Sequence, residues 1–174
     1  MKINLEFDQV TNKLKSSPKV WMITGVAGFI GSNLLEFLLS NNQFVIGVDN
    51  FSTGHRANLD MVEKSVGASK WFNFKFLEGD IGDLDECKRC CLGVDYVLHQ
   101  AALGSVPRSI DDPLSSHLSN VNGFLNLSIA AKENGIRRIV FASSSSVYGD
   151  NMQLPKVEDK IGNVLSPYAA TKKI

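Results

Sequence analysis

The chain has 174 residues, about the length of one domain, and 44% of them are hydrophobic, which is ordinary for a globular core. Its 18 Lys and Arg balance 18 Asp and Glu, and Arg137-Arg138 is an isolated basic doublet, so no charge excess supports a nucleic-acid or anionic-membrane partner. No apolar run approaches the ~20 residues of a membrane span, and Glu6, Asp8 and Lys13 break any leader-like stretch, so a cytoplasmic protein without a membrane partner is expected.

In chain order, residues 1–18 read as an N-terminal helical extension. Phe7, Val10 and Leu14 follow helical spacing, and Ser16-Ser17-Pro18 ends the pattern. From residue 19 onward strands and helices alternate. Val20–Thr24 is an apolar run suited to a strand buried on both faces. Phe29–Leu39 reads as a helix, Phe44–Val48 as a second strand, and Leu59–Val66 as a helix after the polar loop from Asn50 to Arg56. Phe72, Phe74 and Phe76 alternate with polar residues, which predicts the third strand. A helix over Leu84–Cys91, a strand at Tyr96–His99, a long helix over Pro113–Glu133 and a strand at Ile139–Ala142 follow, and Pro167 opens the last helix. This alternation predicts an α/β fold, a doubly wound parallel sheet of the Rossmann type.

Cys87, Cys90 and Cys91 lie within about one helical turn. No second Cys or His pair at ligand spacing completes a zinc site, so buried thiols on an amphipathic helix are expected, and no metal.

Gly25-x-x-Gly28-x-x-Gly31 follows the first strand and opens the first Rossmann helix, the context a dinucleotide fingerprint requires. Gly25 permits a tight turn, Gly28 lets the backbone approach a pyrophosphate, and Gly31 lets the helix pack near the strand. The helix N-terminus, with free N–H groups, then faces the phosphates. Asp49 ends the second strand, where a carboxylate can accept both ribose hydroxyls. That carboxylate would repel a 2′-phosphate, so NAD is favoured over NADP, while Arg56, further along the loop, is placed to soften the preference. Asp80-Ile81 and Gln100-Ala101-Ala102 end the third and fourth strands at the same cleft edge.

Tyr168 and Lys172 stand at i and i+4 of one helix and share a face. A free phenol, with a pKa near ~10, needs a neighbouring cation to act as a base at neutral pH. Ser143-Ser144-Ser145-Ser146 follows the fifth strand, where a hydroxyl can hydrogen-bond a reacting oxygen.

With these pieces the chain resembles the extended short-chain dehydrogenase/reductase family of nucleotide-sugar epimerases and dehydratases. The resemblance rests on Thr24–Ser32, Val48-Asp49-Asn50, Gly79-Asp80-Ile81, His99–Ala102, Ser143–Gly149 and Ser166-Pro167-Tyr168. A narrower likeness, carried by His99–Ser109, Asp49–Gly54 and the N-terminal extension, is to bacterial UDP-N-acetylhexosamine 4-epimerases of surface-polysaccharide synthesis. It implies that residues 19–174 form an NAD-binding domain and that the activity is UDP-GlcNAc/UDP-GalNAc 4-epimerisation through a 4-keto sugar. It implies catalytic roles for Ser144, Tyr168 and Lys172. Cofactor contacts are implied from Gly25, Gly28, Phe29, Ile30, Gly31, Asp49, Asn50, Phe51, Ser52, Thr53, Gly54, Asp80, Ile81, Gln100, Ala101, Ala102 and Asn120. Gly104, Ser105, Ser145 and Ser146 would face the sugar.

Two alternatives stand beside this. A sugar 4,6-dehydratase shares the first oxidation, but in such relatives an Asp-Glu pair precedes Val-Tyr-Gly, and here Ser145-Ser146 does. Relatives are also roughly twice this length, with the substrate domain and dimer helices in the further half. The third expectation is therefore a truncated chain that binds NAD without turnover, the full-length enzyme being a homodimer.

Overall fold

A computed structural model describes residues 2–174. Five parallel strands, β1 (Val20–Thr24), β2 (Phe44–Asp49), β3 (Phe74–Glu78), β4 (Tyr96–His99) and β5 (Arg138–Phe141), lie in the order β3-β2-β1-β4-β5. The order reverses between β1 and β4, the switch point beyond whose strand ends open α/β sheets bind ligands. The register pairs Thr24 with both Val48 and His99, so three strand ends meet at one level.

Strand alternation divides the core in two. On one face Met22, Val48 and Val97 pack with Leu127, Ala130, Cys87, Cys90 and Cys91. These come from α5 (Leu84–Cys90), the residue after it, and α8 (Gly123–Glu133). On the other face Ile23 and Val45 meet Leu35, Leu38 and Leu39 of α2 (Phe29–Ser40) and Leu59 and Val62 of α3 (Arg56–Val66). Leu35 and Leu39 are wholly buried, so truncating either to Ala would cost about 2–5 kcal/mol. All three thiols are free and buried, and desolvation pushes Cys87 up to about 12 and Cys91 to about 11. They are protonated packing groups, and no cluster of three potential metal ligands occurs among the described residues.

The N-terminal segment forms α1 (Lys2–Ser16). Its Phe7 ring lies 5.6 Å from Phe37 of α2, and the Leu14 carbonyl accepts from Gln43 Nε2 at 2.9 Å. No described helix is long and apolar enough to cross a membrane.

Three elements depart from the sequence reading. Phe72 is outside β3. A short α4 (Ala68–Trp71) precedes it, the Phe72 N–H closes that turn on Ala68 O, and the residue is 89% exposed. An additional helix, α6 (Val106–Asp111), starts at Ser105, whose hydroxyl accepts from Arg108 N. The long helix is interrupted. It begins as α7 (Pro113–His117), capped by Asp112, widens into a π-turn over Leu118–Asn122, and continues as α8. An inserted π-turn shifts every later side chain around the helix, which periodicity cannot register in advance. After β5, a 3₁₀ turn (Ser145–Tyr148) leads into a loop, and α9 (Pro167–Lys173) closes the chain with Pro167 in its first turn.

Candidate active site

The glycine loop is held at β1, β2 and β4 at once. Gly25 has a φ of +68°, and a Cβ there would lie 2.7 Å from the backbone nitrogen of Ala101. At Gly31 a Cβ would come within 2.1 Å of Gly25 O, so the first turn of α2 rests directly on the loop. At Gly28 a Cβ would meet only Gly25 O, at 3.2 Å, which leaves an open backbone edge at the start of α2. The first turn of α2 carries no acidic residue to compete with an anion.

Asp49 is 8% exposed and organises the loop. Its Oδ2 accepts from Ala27 N and its Oδ1 from Phe51 N, both at 2.8 Å. Each carboxylate oxygen keeps acceptor capacity for a further donor. The segment after Asp49 folds back on Ala27, whose carbonyl accepts from His55 N at 3.0 Å and Asn58 Nδ2 at 2.7 Å. Asp80 Oδ2 accepts from Asn50 Nδ2 at 2.8 Å, joining the ends of β2 and β3.

Beneath the loop is a buried pair that the sequence reading missed. Thr24 Oγ1 accepts from Ala101 N at 3.2 Å and lies 2.7 Å from His99 Nδ1. Burial, and secondarily the Lys172 charge, push His99 down to about 4, so the ring is neutral at physiological pH. The signal for the pair was a Thr and a His at the ends of two otherwise apolar strands.

The result is one cleft lined by Gly25, Gly28, Val48, Asp49, Asn50, Ser52, Thr53, Gly54, Gly79, Asp80, Ile81, Gln100, Ala101, Ala102 and Ser119. Several residues singled out in the sequence lie elsewhere. Phe29 and Ile30 point their side chains into solvent, leaving only their backbone at the loop. The Phe51 ring turns away, 5.4 Å from Phe76, and Arg56 lies over both rings. Asn120 is outside the cleft. Its Oδ1 accepts from Leu103 N at 2.7 Å, and its Nδ2 donates to Leu103 O and Thr171 Oγ1. The π-turn turns Ser119 towards the cleft and Asn120 towards α9. Gly104 and Ser105 form the approach to α6, Ser105 with a φ of 112°.

The Tyr-Lys helix is anchored at the end of β5. Lys172 Nζ donates to Ala142 O at 3.0 Å, Ser143 Oγ to Lys172 O at 3.4 Å, and Tyr168 N to Ser109 Oγ at 3.0 Å. Desolvation lowers the Lys172 ammonium from its ordinary value. Ser144 caps the 3₁₀ turn, its hydroxyl accepting from Ser146 N at 3.1 Å, and Ser145 and Ser146 lie within that turn. Lys172 lines a second cavity, with His99, Asn120, Phe124, Phe141 and Thr171, separate from the glycine-loop cleft.

Comparison with known proteins places this geometry. The profile of the NAD dependent epimerase/dehydratase family matches residues 21–174. A UDP-glucose 4-epimerase of Mycolicibacterium smegmatis is 40% identical over 153 residues, covering 87% of this chain and 47% of that protein. A UDP-N-acetylglucosamine 4-epimerase from Methanobrevibacter ruminantium, solved with UDP-N-acetylmuramic acid, superposes with a TM-score of 0.79 at 36% identity, over 90% of this chain and 47% of that one. A dTDP-glucose 4,6-dehydratase from Streptomyces venezuelae, solved with NAD, gives 0.79 at 34% identity, over 88% and 48%. The chain thus spans about half the length of the curated relatives it matches.

Proposed function

Since the chain belongs to the NAD-dependent epimerase/dehydratase family, we propose that it is the NAD-binding part of a UDP-sugar 4-epimerase that interconverts UDP-GlcNAc and UDP-GalNAc. Residues 19–174 are the cofactor domain and 1–18 an extension. The observation that carries the reading is the single cleft at the switch point, where the open glycine backbone and the buried Asp49 carboxylate face one space.

The residues fit a dinucleotide. The Gly25–Gly31 loop and the N-terminus of α2 would hold the diphosphate, and Asp49 the adenosine ribose. Asp80, Ile81 and Gln100–Ala102 would flank the rest, where the small side chains of Ala101 and Ala102 admit a flat ligand. NAD, when bound, supplies a hydride acceptor at the sugar C4 and gives the hydride back.

The chain's own groups handle the proton and the oxygen. Tyr168 would take the proton of the sugar 4-hydroxyl, and Ser144 would hydrogen-bond the same oxygen. Lys172, four residues after Tyr168, supplies the positive charge that favours phenolate. Gly104, Ser105, Ser145 and Ser146 would border the hexose. The full-length enzyme is proposed as a homodimer, for which exposed Leu114, Leu118 and Leu125 along α7–α8 provide apolar surface.

The dehydratase among the structural neighbours favours one competing reading. Incubating the full-length enzyme with UDP-GlcNAc separates the two. UDP-GalNAc is the expected product, and a stable 4-keto-6-deoxy sugar would overturn the epimerase assignment.

A further inference from the structure

Among the residues lining the glycine-loop cleft are two carboxylates, Asp49 and Asp80, and no Lys or Arg. The cation nearest along the chain is Arg56, two residues after the wall residue Gly54. It opens α3, whose first turn is fastened to the glycine loop through His55 N and Asn58 Nδ2 on Ala27 O. At Gly54 a Cβ would lie 3.0 Å from Asp49 Oδ1, so the chain leaves the ribose-binding acid in contact and reaches Arg56 within two residues.

The guanidinium is nonetheless engaged elsewhere. Its carbon lies 5.0 Å from the Phe51 ring centroid and 4.9 Å from that of Phe76, and the rings themselves sit 5.4 Å apart. Phe51 adopts a φ of 56°, and its N–H is fixed on Asp49 Oδ1 at 2.8 Å. One carboxylate thus both marks the ribose position and orients the ring that holds the arginine.

We propose that Phe51 and Phe76 are specificity residues for the cofactor: by stacking Arg56 they withhold from the cleft the cation nearest to it along the chain, one able to neutralise a 2′-phosphate. The inference rests on the NAD assignment above. Discrimination against NADP then has two parts, repulsion by Asp49 and sequestration of Arg56. Two such stacking contacts at an exposed site hold the guanidinium by on the order of tenfold.

The test titrates NAD and NADP calorimetrically into the wild-type chain, Phe76→Leu, Phe51→Leu, Arg56→Gln and the double variant Phe76→Leu/Arg56→Gln. Each leucine variant removes one of the two contacts and should gain about threefold in NADP affinity, with the NAD affinity of Phe76→Leu within about twofold. The double variant should lose that gain, and Arg56→Gln alone should leave both affinities unchanged. Two independent ring removals keep the test open if one of them unfolds the chain. Unchanged NADP affinity in whichever leucine variants fold, or a gain that survives Arg56→Gln, overturns the proposal. A wild-type chain that binds neither nucleotide removes the NAD assignment and this proposal with it, and that is seen before any variant is compared.

Discussion

The carboxyl ends of β1, β2 and β4 and the end of β5 belong to one sheet but are built differently. At the first three, strands and loops hold one another from all sides. Met22, Ile23, Val45 and Val97 are essentially solvent-free, Thr24 bridges to β4, and Asp49 spans two loops with two short hydrogen bonds. At the last, Val140 and Phe141 are 51% and 45% exposed, and among the described residues β5 pairs with β4 alone. The helix carrying Tyr168 and Lys172 has seven residues and is held by hydrogen bonds to Ala142, Ser109 and Asn120. The difference teaches that the glycine-loop cleft and the Tyr168–Lys172 helix are held in place by different means. The first rests on close backbone packing among three strands, and the second on hydrogen bonds to three residues outside the helix.

The largest effect that could break this contrast is at Gly31. Its alanine variant would drive a methyl into Gly25 O and Val26 Cα. A loss of about 3 kcal/mol or more is expected in urea unfolding, with NAD binding abolished. A variant as stable as wild type would mean that the glycine loop is not close-packed.

Next is acid pH. His99 has a folded pKa of about 4 against an ordinary 6.5, so the unfolded chain takes up the proton first. Its contribution is intact above pH 6.5 and is lost as the pH falls from 6.5 towards 4, by about 2–3 kcal/mol. Unfolding free energies of wild type and His99→Gln at pH 7.5 and 4.5 check this. Equal pH dependence in the two proteins would refute a buried neutral histidine.

Thr24→Val keeps the shape and removes the hydroxyl, leaving Ala101 N and His99 Nδ1 short of a partner. The expected cost is about 1–3 kcal/mol by chemical denaturation, with weaker NAD binding.

The smallest effect sharpens the comparison from the other side. Asn120→Ala releases Leu103 and Thr171 and should destabilise by about 1–2 kcal/mol. Amide exchange should quicken in residues 167–173 while NAD affinity stays unchanged. A matching loss of NAD affinity would show that the two ends are coupled.

The contrast also explains what the sequence made legible. Strands buried on both faces read as apolar runs, and the glycine spacing with Asp49 points to the cleft. Those signals are local and come from backbone packing. Phe72 was misplaced because alternation continues past the point where α4 closes its last turn. Asn120 faces α9 and Ser119 the cleft because a π-turn adds a residue to the helix without altering composition. The Thr24–His99 pair depends on register between β1 and β4, which a single sequence does not encode locally. At β5 the serine run and the Tyr-Lys spacing were visible, but their mutual placement depends on tertiary contacts.

The account stands most directly on Asp49. Calorimetric titration of the chain with NAD, wild type against Asp49→Asn, tests it with a nearly isosteric change. The account predicts one-site binding by the wild type and a loss of about tenfold in the variant. Equal affinity in the two proteins, or no binding by a folded wild-type chain, would contradict it.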